Sequence, residues 1–250
     1  MKRILGWTLA AILVLGVGLV GWLYFAGGSG EPSTELTTPP IAEASTTTAS
    51  ESTDPTADPV TTVPSTVTSA GQAFVIDPSL SVASFEIDEV LRGSPKHVVG
   101  TTSELAGQIQ VDPADLTSAE FSQILINART FETDSGNRDR AIRGPVILNS
   151  ASDEFEFISF DVTSVDGLSG AAAVGEPIDF TVTGDLKIKD TTQSVTFDVS
   201  ATFIDENTIE GSAQTTVLRD DFGLGIPQAP GVADVSQEVV IRLDFVATSV

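Results

Sequence analysis

Residues able to do chemistry are few in this sequence, and their types exclude several reactions at once. The chain has no cysteine and a single histidine, His97. Without cysteine there is no thiol nucleophile, no disulfide and no Cys-ligated zinc or iron–sulfur site. One imidazole also excludes mechanisms that need two. We interpret His97, which follows Lys96 in a stretch with Gly and Pro, as a solvated loop residue, and a lone metal ligand is the disfavoured alternative.

Carboxylates are the abundant chemical group. There are 35 Asp and Glu against 12 Lys and Arg, which gives a formal net charge of −23. Pairs such as Asp220–Asp221 and Asp153–Glu154 suit acid/base or calcium chemistry, but the spacing of a calcium-binding D-x-D-x-D-G loop is missing. We therefore interpret them as solubilising surface groups. The acidic balance also argues against nucleic acid as a partner and against docking on anionic lipid surfaces.

Sequence motifs of catalysis are equally scarce. The chain has no G-x-S-x-G elbow, no Walker loop and no G-x-G-x-x-G after a strand. We predict a protein that is not an enzyme, with no catalytic residues, no metal site and no cofactor. A hydrolase that uses Asp or Glu is the disfavoured alternative, and it would need paired buried carboxylates in a cleft.

Two groups of mixed charge stand out among the few cations. One is Arg138–Asp139–Arg140, and the other is Arg219–Asp220–Asp221. An ion-pair network at the rim of a domain is the first interpretation. A guanidinium that hydrogen-bonds the polar end of a ligand is the second, and it makes Arg138, Asp139 and Arg219 candidate rim contacts.

The chain that carries these groups begins with an apolar run. Ile4 to Ala26 contains no charge, and Lys2 and Arg3 precede it. As a helix this run would reach roughly 34 Å, enough to cross a bilayer. We predict that residues 1–26 form a single-pass anchor in the cell membrane with a cytoplasmic N-terminus, so that the rest of the chain is periplasmic or extracellular. A cleaved signal peptide is the alternative.

Residues 27–72 have a different composition. Nineteen of them are Ser or Thr, six are Pro, six are acidic and none is basic. Because so little apolar surface cannot offset the entropy of ordering, we predict a disordered linker. Its role would be to hold a domain away from the membrane.

Residues 73–250 form one domain with the polar–apolar alternation of β-strands. A period of two puts one face of each strand in a core and leaves the other face wet. Eight such strands with short connections predict an all-β antiparallel fold, either a barrel or a sandwich. The predicted strands cover residues 178–188, 195–203 and 239–247, and with weaker patterns 82–91, 104–111, 121–131, 154–164 and 209–218.

Two local features interrupt this pattern. Asn137 is a suitable N-cap, Gly144 a suitable C-terminal stop, and Pro145 prevents continuation, so one short helix is predicted between them. The alternation slips by one residue near Ile158–Phe160, which indicates a β-bulge.

Six segments of the domain, taken together, are similar to a known family. In chain order they are FVIDPSLSVASFEI from Phe74, VVGTTSELAGQIQVD from Val98, TDSGNRDRAIR from Thr133, TGDLKIKDTTQSVTF from Thr183, LRDDFGL from Leu218 and VADVSQEVVIRLDF from Val232. Their order and content resemble the YceI-like family of polyisoprenoid-binding, lipocalin-like barrels. One departure is Leu80, which stands where the family often has histidine.

The resemblance implies an eight-stranded barrel that holds a long-chain isoprenoid, such as a quinone or a polyprenyl lipid, in an apolar tunnel. The lipid would be a bound ligand and not a catalytic cofactor. The inward positions that would line this tunnel are Phe85, Ile109, Ile126, Phe157, Phe180, Val182, Phe197, Phe203, Leu243 and Phe245.

These expectations combine into a membrane-tethered protein that carries or sequesters an isoprenoid or another long-chain lipid. A non-catalytic structural or adhesion β-domain on a stalk is the alternative, because tight core packing would use the same inward residues. The sequence leaves open whether the domain forms a homodimer.

Overall fold

The protein is represented by a computed structural model, which describes residues 36–41 and 71–250. The predicted anchor (1–26) and nearly all of the predicted linker (27–72) lie outside these residues. Among the residues that are described, no helix combines the length and the apolar character needed to cross a bilayer.

The described domain is all-β and antiparallel with one short α-helix, as the sequence predicted. The helix α1 spans Gly136–Arg143, and short 3-10 turns cover Ala128–Thr130, Asp153–Phe155 and Arg219–Phe222. The strands are β1 (Gln72–Ile76), β2 (Val82–Leu91), β3 (Ser94–Thr102), β4 (Leu105–Ala106), β5 (Gln108–Asp112), β6 (Asp115–Phe121), β7 (Ile124–Asn127), β8 (Phe157–Asp166), β9 (Pro177–Ile188), β10 (Thr191–Asp205), β11 (Thr208–Leu218), β12 (Val232–Ala233) and β13 (Glu238–Ser249).

The strand pairings form a ring. β1 with β2, β3 to β5, and β6 with β7 each act as one interrupted strand, and with β8, β9, β10, β11 and β13 they make eight strand positions. Each position pairs with the next along the chain, and the short β12 pairs with β2. The last strand, β13, returns to pair with both β1 and β2. Eight strand positions of this kind curl the sheet around an interior, which is the geometry of a lipocalin-like fold.

The pairing between β7 and β8 is short. It joins Ile124–Asn127 to Phe157–Phe160. Next to it, the loop 167–176 runs beside β6, where Leu116 N donates to Gly170 O at 2.8 Å. The ladder shifts between Val162 and Ser164, so the bulge in β8 lies a few residues beyond the slip that the sequence indicated.

Sequence analysis missed β1, β3 and β12, and it missed β6 except for Phe121, where the predicted strand 121–131 begins. The inward positions of β3 include Gly100 and Thr102, which give no alternating apolar pattern. His97 is therefore a strand residue, not the loop residue that was predicted. It pairs across the ladder with Asp88, whose carboxylate lies 2.8 Å from Nδ1.

Glycines on the inner face of the sheet make room for aromatic rings. A Cβ at Gly100 would lie 2.2 Å from Cε1 of Phe85 on the neighbouring strand. A Cβ at Gly211 would lie 2.7 Å from the Phe245 ring. Phe85 and Phe245 therefore lie close to the backbone of the adjacent strand, in space that a side chain at either glycine would occupy.

The two ends of the sheet differ in content. We call one the helix end, formed by the turn 92–93, the connection 128–156 with α1, the turn 189–190 and the connection 219–237. The other, which we call the acidic end, contains the turns 113–114 and 206–207 and the loop 167–176. Its core is apolar, and Phe74 and Phe203 pack there edge to face with ring centroids 5.8 Å apart.

Candidate functional site

One cavity runs through the interior of the domain. Its volume is about 800 Å³. Its lining reaches from Arg138 and Ile142 at the helix end to Leu116 and Leu168 at the acidic end. Close-packed protein cores rarely contain voids larger than a water molecule, whereas sites for small ligands occupy roughly 300–1,000 Å³. The size therefore fits a ligand site.

Nearly all of the tunnel residues predicted from the sequence line this cavity. They are Phe85, Ile109, Ile126, Phe180, Val182, Phe197, Phe203, Leu243 and Phe245. Phe157 is the correction, because it does not line the cavity. Its neighbours Ile158, Phe160 and Val162 do, and successive strand residues point to opposite faces. The sequence assigned Phe157 to the wrong face of β8.

The polar groups of the cavity wall gather at the helix end. Glu89 on β2 and Arg138 on α1 form an ion pair, with Glu89 Oε1 2.7 Å from Arg138 Nη2. Arg138 Nη1 also contacts Asp134, and Lys96 Nζ lies 2.6 Å from the other oxygen of Asp134. The hydrogen bond from Lys96 lowers the pKa of Asp134.

Glu89 is the residue of this site that sequence analysis missed. It shares its parity on β2 with Ala83, Phe85, Ile87 and Leu91, which all line the cavity. Only 9% of its surface is exposed. A charged residue within an apolar, inward-facing set was the pattern that could have identified it, because charged residues are rarely buried unless they are paired.

Helix α1 positions Arg138 over the cavity. The helix begins at Gly136 with Ser135 as its N-cap, two residues before the predicted N-cap Asn137. It ends at Arg143, and the N–H of the C-cap Gly144 donates to Ala141 O. Ile142 buries its apolar side in the core. Asp139, a predicted rim contact, instead accepts hydrogen bonds from the backbone N–H and the hydroxyl of Thr133, at 2.8 and 2.6 Å. Asp139 does not line the cavity and holds the turn before the helix.

Comparison with known proteins identifies the family of this chain. The sequence pattern of the YceI-like domain matches residues 74–247, which is most of the chain. The chain belongs to the YceI-like domain family. The resemblance seen in the six sequence segments is thereby confirmed.

Solved structures share the fold of this YceI-like domain at low sequence identity. BcnA from Burkholderia cenocepacia aligns with a TM-score of 0.54 and 21% identity, over 69% of this chain and 99% of BcnA. A polyisoprenoid-binding domain from Saccharophagus degradans implicated in plant cell wall breakdown aligns with a TM-score of 0.54 and 13% identity, over 72% of this chain and 99% of that domain. At such identities the similarity concerns the fold. Curated proteins gave no match to the sequence.

Arg219 has a structural role in the segment LRDDFGL, one of the six segments shared with the YceI-like family. Its guanidinium donates to three backbone carbonyls, Leu224 O at 2.8 Å, Ser236 O at 2.7 Å and Val235 O at 3.4 Å. These carbonyls belong to the two ends of one connection, which lines the helix end of the cavity with Ile226 and neighbouring apolar residues. Because Ile226 and the lining residue Arg92 are exposed, we call this end of the cavity the mouth. Arg219 therefore joins the base of this connection, and its donors are directed at the protein rather than at a ligand.

The described part of the YceI-like domain contains no candidate metal-binding cluster. No group of three or more His, Asp or Glu side chains within residues 36–41 and 71–250 is arranged to hold a metal ion. The chemistry that the wall offers is apolar contact along most of its length and hydrogen bonding at one end.

Proposed function

We propose that this protein is a membrane-tethered, extracytoplasmic lipid-binding protein. It would hold an isoprenoid chain, either a quinone or a polyprenyl lipid, for carriage or sequestration, and it would carry out no catalysis. The observation that carries this proposal is the apolar cavity of about 800 Å³ inside a YceI-like domain.

The wall of the cavity suits a flexible hydrocarbon. Each square ångström of isoprenoid surface removed from water contributes about 25 cal/mol, and this gain needs no charged partner. The name of the Saccharophagus degradans domain, polyisoprenoid-binding, supports the same class of ligand for this chain. Phe85 and Phe245, which lie close to Gly100 and Gly211 on the adjacent strands, contribute aromatic surface to this wall.

The open interior also argues against the alternative of a structural or adhesion module. Such a module would gain stability from a filled core, because each unfilled volume loses packing contacts. A cavity of this size is a stability cost that a ligand-binding function explains.

The tether is proposed from the sequence. The uncharged run from Ile4 to Ala26 follows Lys2 and Arg3, and the Ser/Thr/Pro-rich linker separates it from the domain. This order would keep the domain on the extracytoplasmic side, within reach of membrane lipid.

Native mass spectrometry of the full chain, purified from bacteria in a mild detergent, tests this proposal. We expect an adduct whose mass and fragmentation identify an isoprenoid, found also by lipid extraction. A chain that purifies without lipid and binds no added isoprenoid would contradict the proposal.

Introducing an arginine on the inner or on the outer face of one strand provides a matched pair of variants for the same proposal. Val182 is buried and lines the cavity, whereas Thr181 lies on the outer face of the same strand. We expect Val182→Arg to lose bound lipid, because an unpaired charge inside an apolar cavity is strongly unfavourable, and Thr181→Arg to retain it. Ala213→Trp, which fills the cavity without charge, covers the case in which Val182→Arg does not fold.

A further inference from the structure

The mouth of the cavity contains an ion pair whose charges are already neutralised within the protein. Glu89, buried on the inner face of β2, is bonded to Arg138, and Arg138 also contacts Asp134. Lys96 completes the row by bonding the second oxygen of Asp134. Two anions and two cations alternate along this row, so its net charge is zero.

Within the described residues, the guanidinium of Arg138 uses two of its five N–H donors on carboxylates, so its charge is shared by two anions while the other donors can reach a neutral acceptor. Its Nη1 and Nη2 are directed at two different carboxylates. Within residues 71–250, Glu89 forms its only hydrogen bond through Oε1. Its second oxygen, Oε2, is therefore available to accept a hydrogen bond from a group that enters the mouth.

The other arginines of the cavity wall are either bonded elsewhere in the protein or exposed to solvent, unlike Arg138. Arg219 is occupied by three carbonyls, and Arg242 is paired with Asp244 at 2.6 Å. Arg92 lies at the outer edge, in the exposed turn after β2, where water screens its charge. The position just inside the mouth is therefore dominated by Glu89 and Arg138.

We propose that Glu89 and Arg138 select isoprenoids whose polar head is uncharged and carries a hydroxyl or carbonyl group, and reject those that end in phosphate or diphosphate. The inference rests on the proposed function and narrows its ligand class. A hydroxyl can donate to Glu89 and a carbonyl can accept from a remaining N–H of Arg138, whereas a phosphate would meet the carboxylates of Glu89 and Asp134 with its own negative charge. Like charges forced together in a water-poor site repel each other, so the phosphorylated heads should bind more weakly than the neutral ones.

Binding of a matched series to the full chain tests the proposal. The probes share one tail, the farnesyl chain, and differ only in the head: alcohol, monophosphate or diphosphate. Affinities come from competition with a fluorescent lipid in mild detergent. We expect the alcohol to bind at least tenfold more tightly than the diphosphate, and equal or reversed affinities would overturn the proposal.

Two substitutions change the charge of the mouth in opposite directions. Glu89→Gln removes the buried anion and should improve diphosphate binding relative to the alcohol by about tenfold, the equivalent of about 1.4 kcal/mol. Arg138→Gln leaves Glu89 unpaired and should weaken diphosphate binding further. Asp88→Asn is the matched control, because it removes the same charge one residue away on the outer face of β2. We expect it to leave the alcohol-to-diphosphate ratio unchanged.

The outcomes separate the two proposals. If all three farnesyl probes bind with equal affinity, or if Glu89→Gln leaves the ratio unchanged in a folded protein, head selection is wrong while lipid binding stands. If Glu89→Gln does not fold, the expected loss in Arg138→Gln decides the same point. If no probe binds and no lipid copurifies, the proposed function fails, and head selection fails with it.

Discussion

The helix end and the acidic end of the same curled sheet differ in charge and in packing. Each of the ten cations of residues 71–250 lies at the helix end or, for Arg242, in the middle of β13, and the acidic end has none. The acidic end instead carries carboxylates outside, among them Asp112, Asp205 and Glu206. Inside, it is closed by Phe74, which is fully buried, and by Phe203.

Because of this difference, the two ends of the cavity suit different parts of a ligand. A chain with one polar head would place its hydrocarbon at the acidic end, where the wall is apolar, and its head at the helix end, where Glu89 and Arg138 provide hydrogen bonds. Charge outside and aromatic packing inside make the acidic end a closed base. The connections of the helix end, held by Arg138 and Arg219, form the mouth.

The largest expected effect concerns the closed base. Phe74→Ala removes a fully buried ring that packs against Phe203. We expect a loss of about 3–5 kcal/mol in the free energy of unfolding, which for a domain of this size lowers the melting temperature by roughly 10 °C. Thermal and urea unfolding measure it.

Phe157→Ala is the comparison at the helix end. Phe157 lies outside the cavity lining and is half-buried, so its loss should cost about 1 kcal/mol. Equal losses for the two variants would contradict the distinction between a packed base and a more adaptable mouth.

A smaller effect is expected at the mouth. Arg219→Met keeps the apolar stem but removes the donors to three carbonyls, which should cost about 1–3 kcal/mol. Hydrogen exchange should accelerate in residues 224–236 and stay unchanged at the acidic end.

Arg140→Met serves as its control, because Arg140 is exposed and bonds only Asn137 within the described chain. Unchanged exchange in the Arg219 variant would show that this connection is held by other contacts.

The smallest effect is a pH dependence on the outer face near the helix end. The hydrogen bond with Asp88, supported by Glu86, raises the pKa of His97 above 6.5. Because the folded state binds this proton more tightly, the resulting stabilisation is complete below pH 6.5 and is lost as the pH rises through the folded pKa. NMR titration of the His97 ring should show the raised pKa, and Asp88→Asn should lower it. A pKa at or below 6.5 in the native chain would contradict the pairing.

Much of the fold could be predicted from the sequence, because strands with one wet face alternate strictly. The interpretation was correct for β9, β10 and β13, where apolar and polar residues largely alternate, and for the weaker patterns of β2 and β11. It failed at β3, whose inward Gly100 accommodates the Phe85 ring and so carries no apolar side chain. It failed again at Phe157, because the bulge that resets the parity of β8 lies further along the strand.

The candidate site was only partly predictable for a related reason. Nine lining residues follow from alternation within single strands, a local property. Glu89 and Arg138 are 49 residues apart, and nothing local indicates that they meet. Arg219 appeared as a charge beside two acids, but its partners lie up to 17 residues further along the backbone of the same connection.

The sequence by itself determined the antiparallel β class, the family and the apolar inner face, since these depend on alternation and on motifs that are read along the chain. Only the tertiary structure decided that the interior stays open, that the cations gather at one end, and that Glu89 is paired inside the mouth. Those properties depend on which strands become neighbours and in what register, and the free energy that sets the register is shared among contacts far apart in the chain.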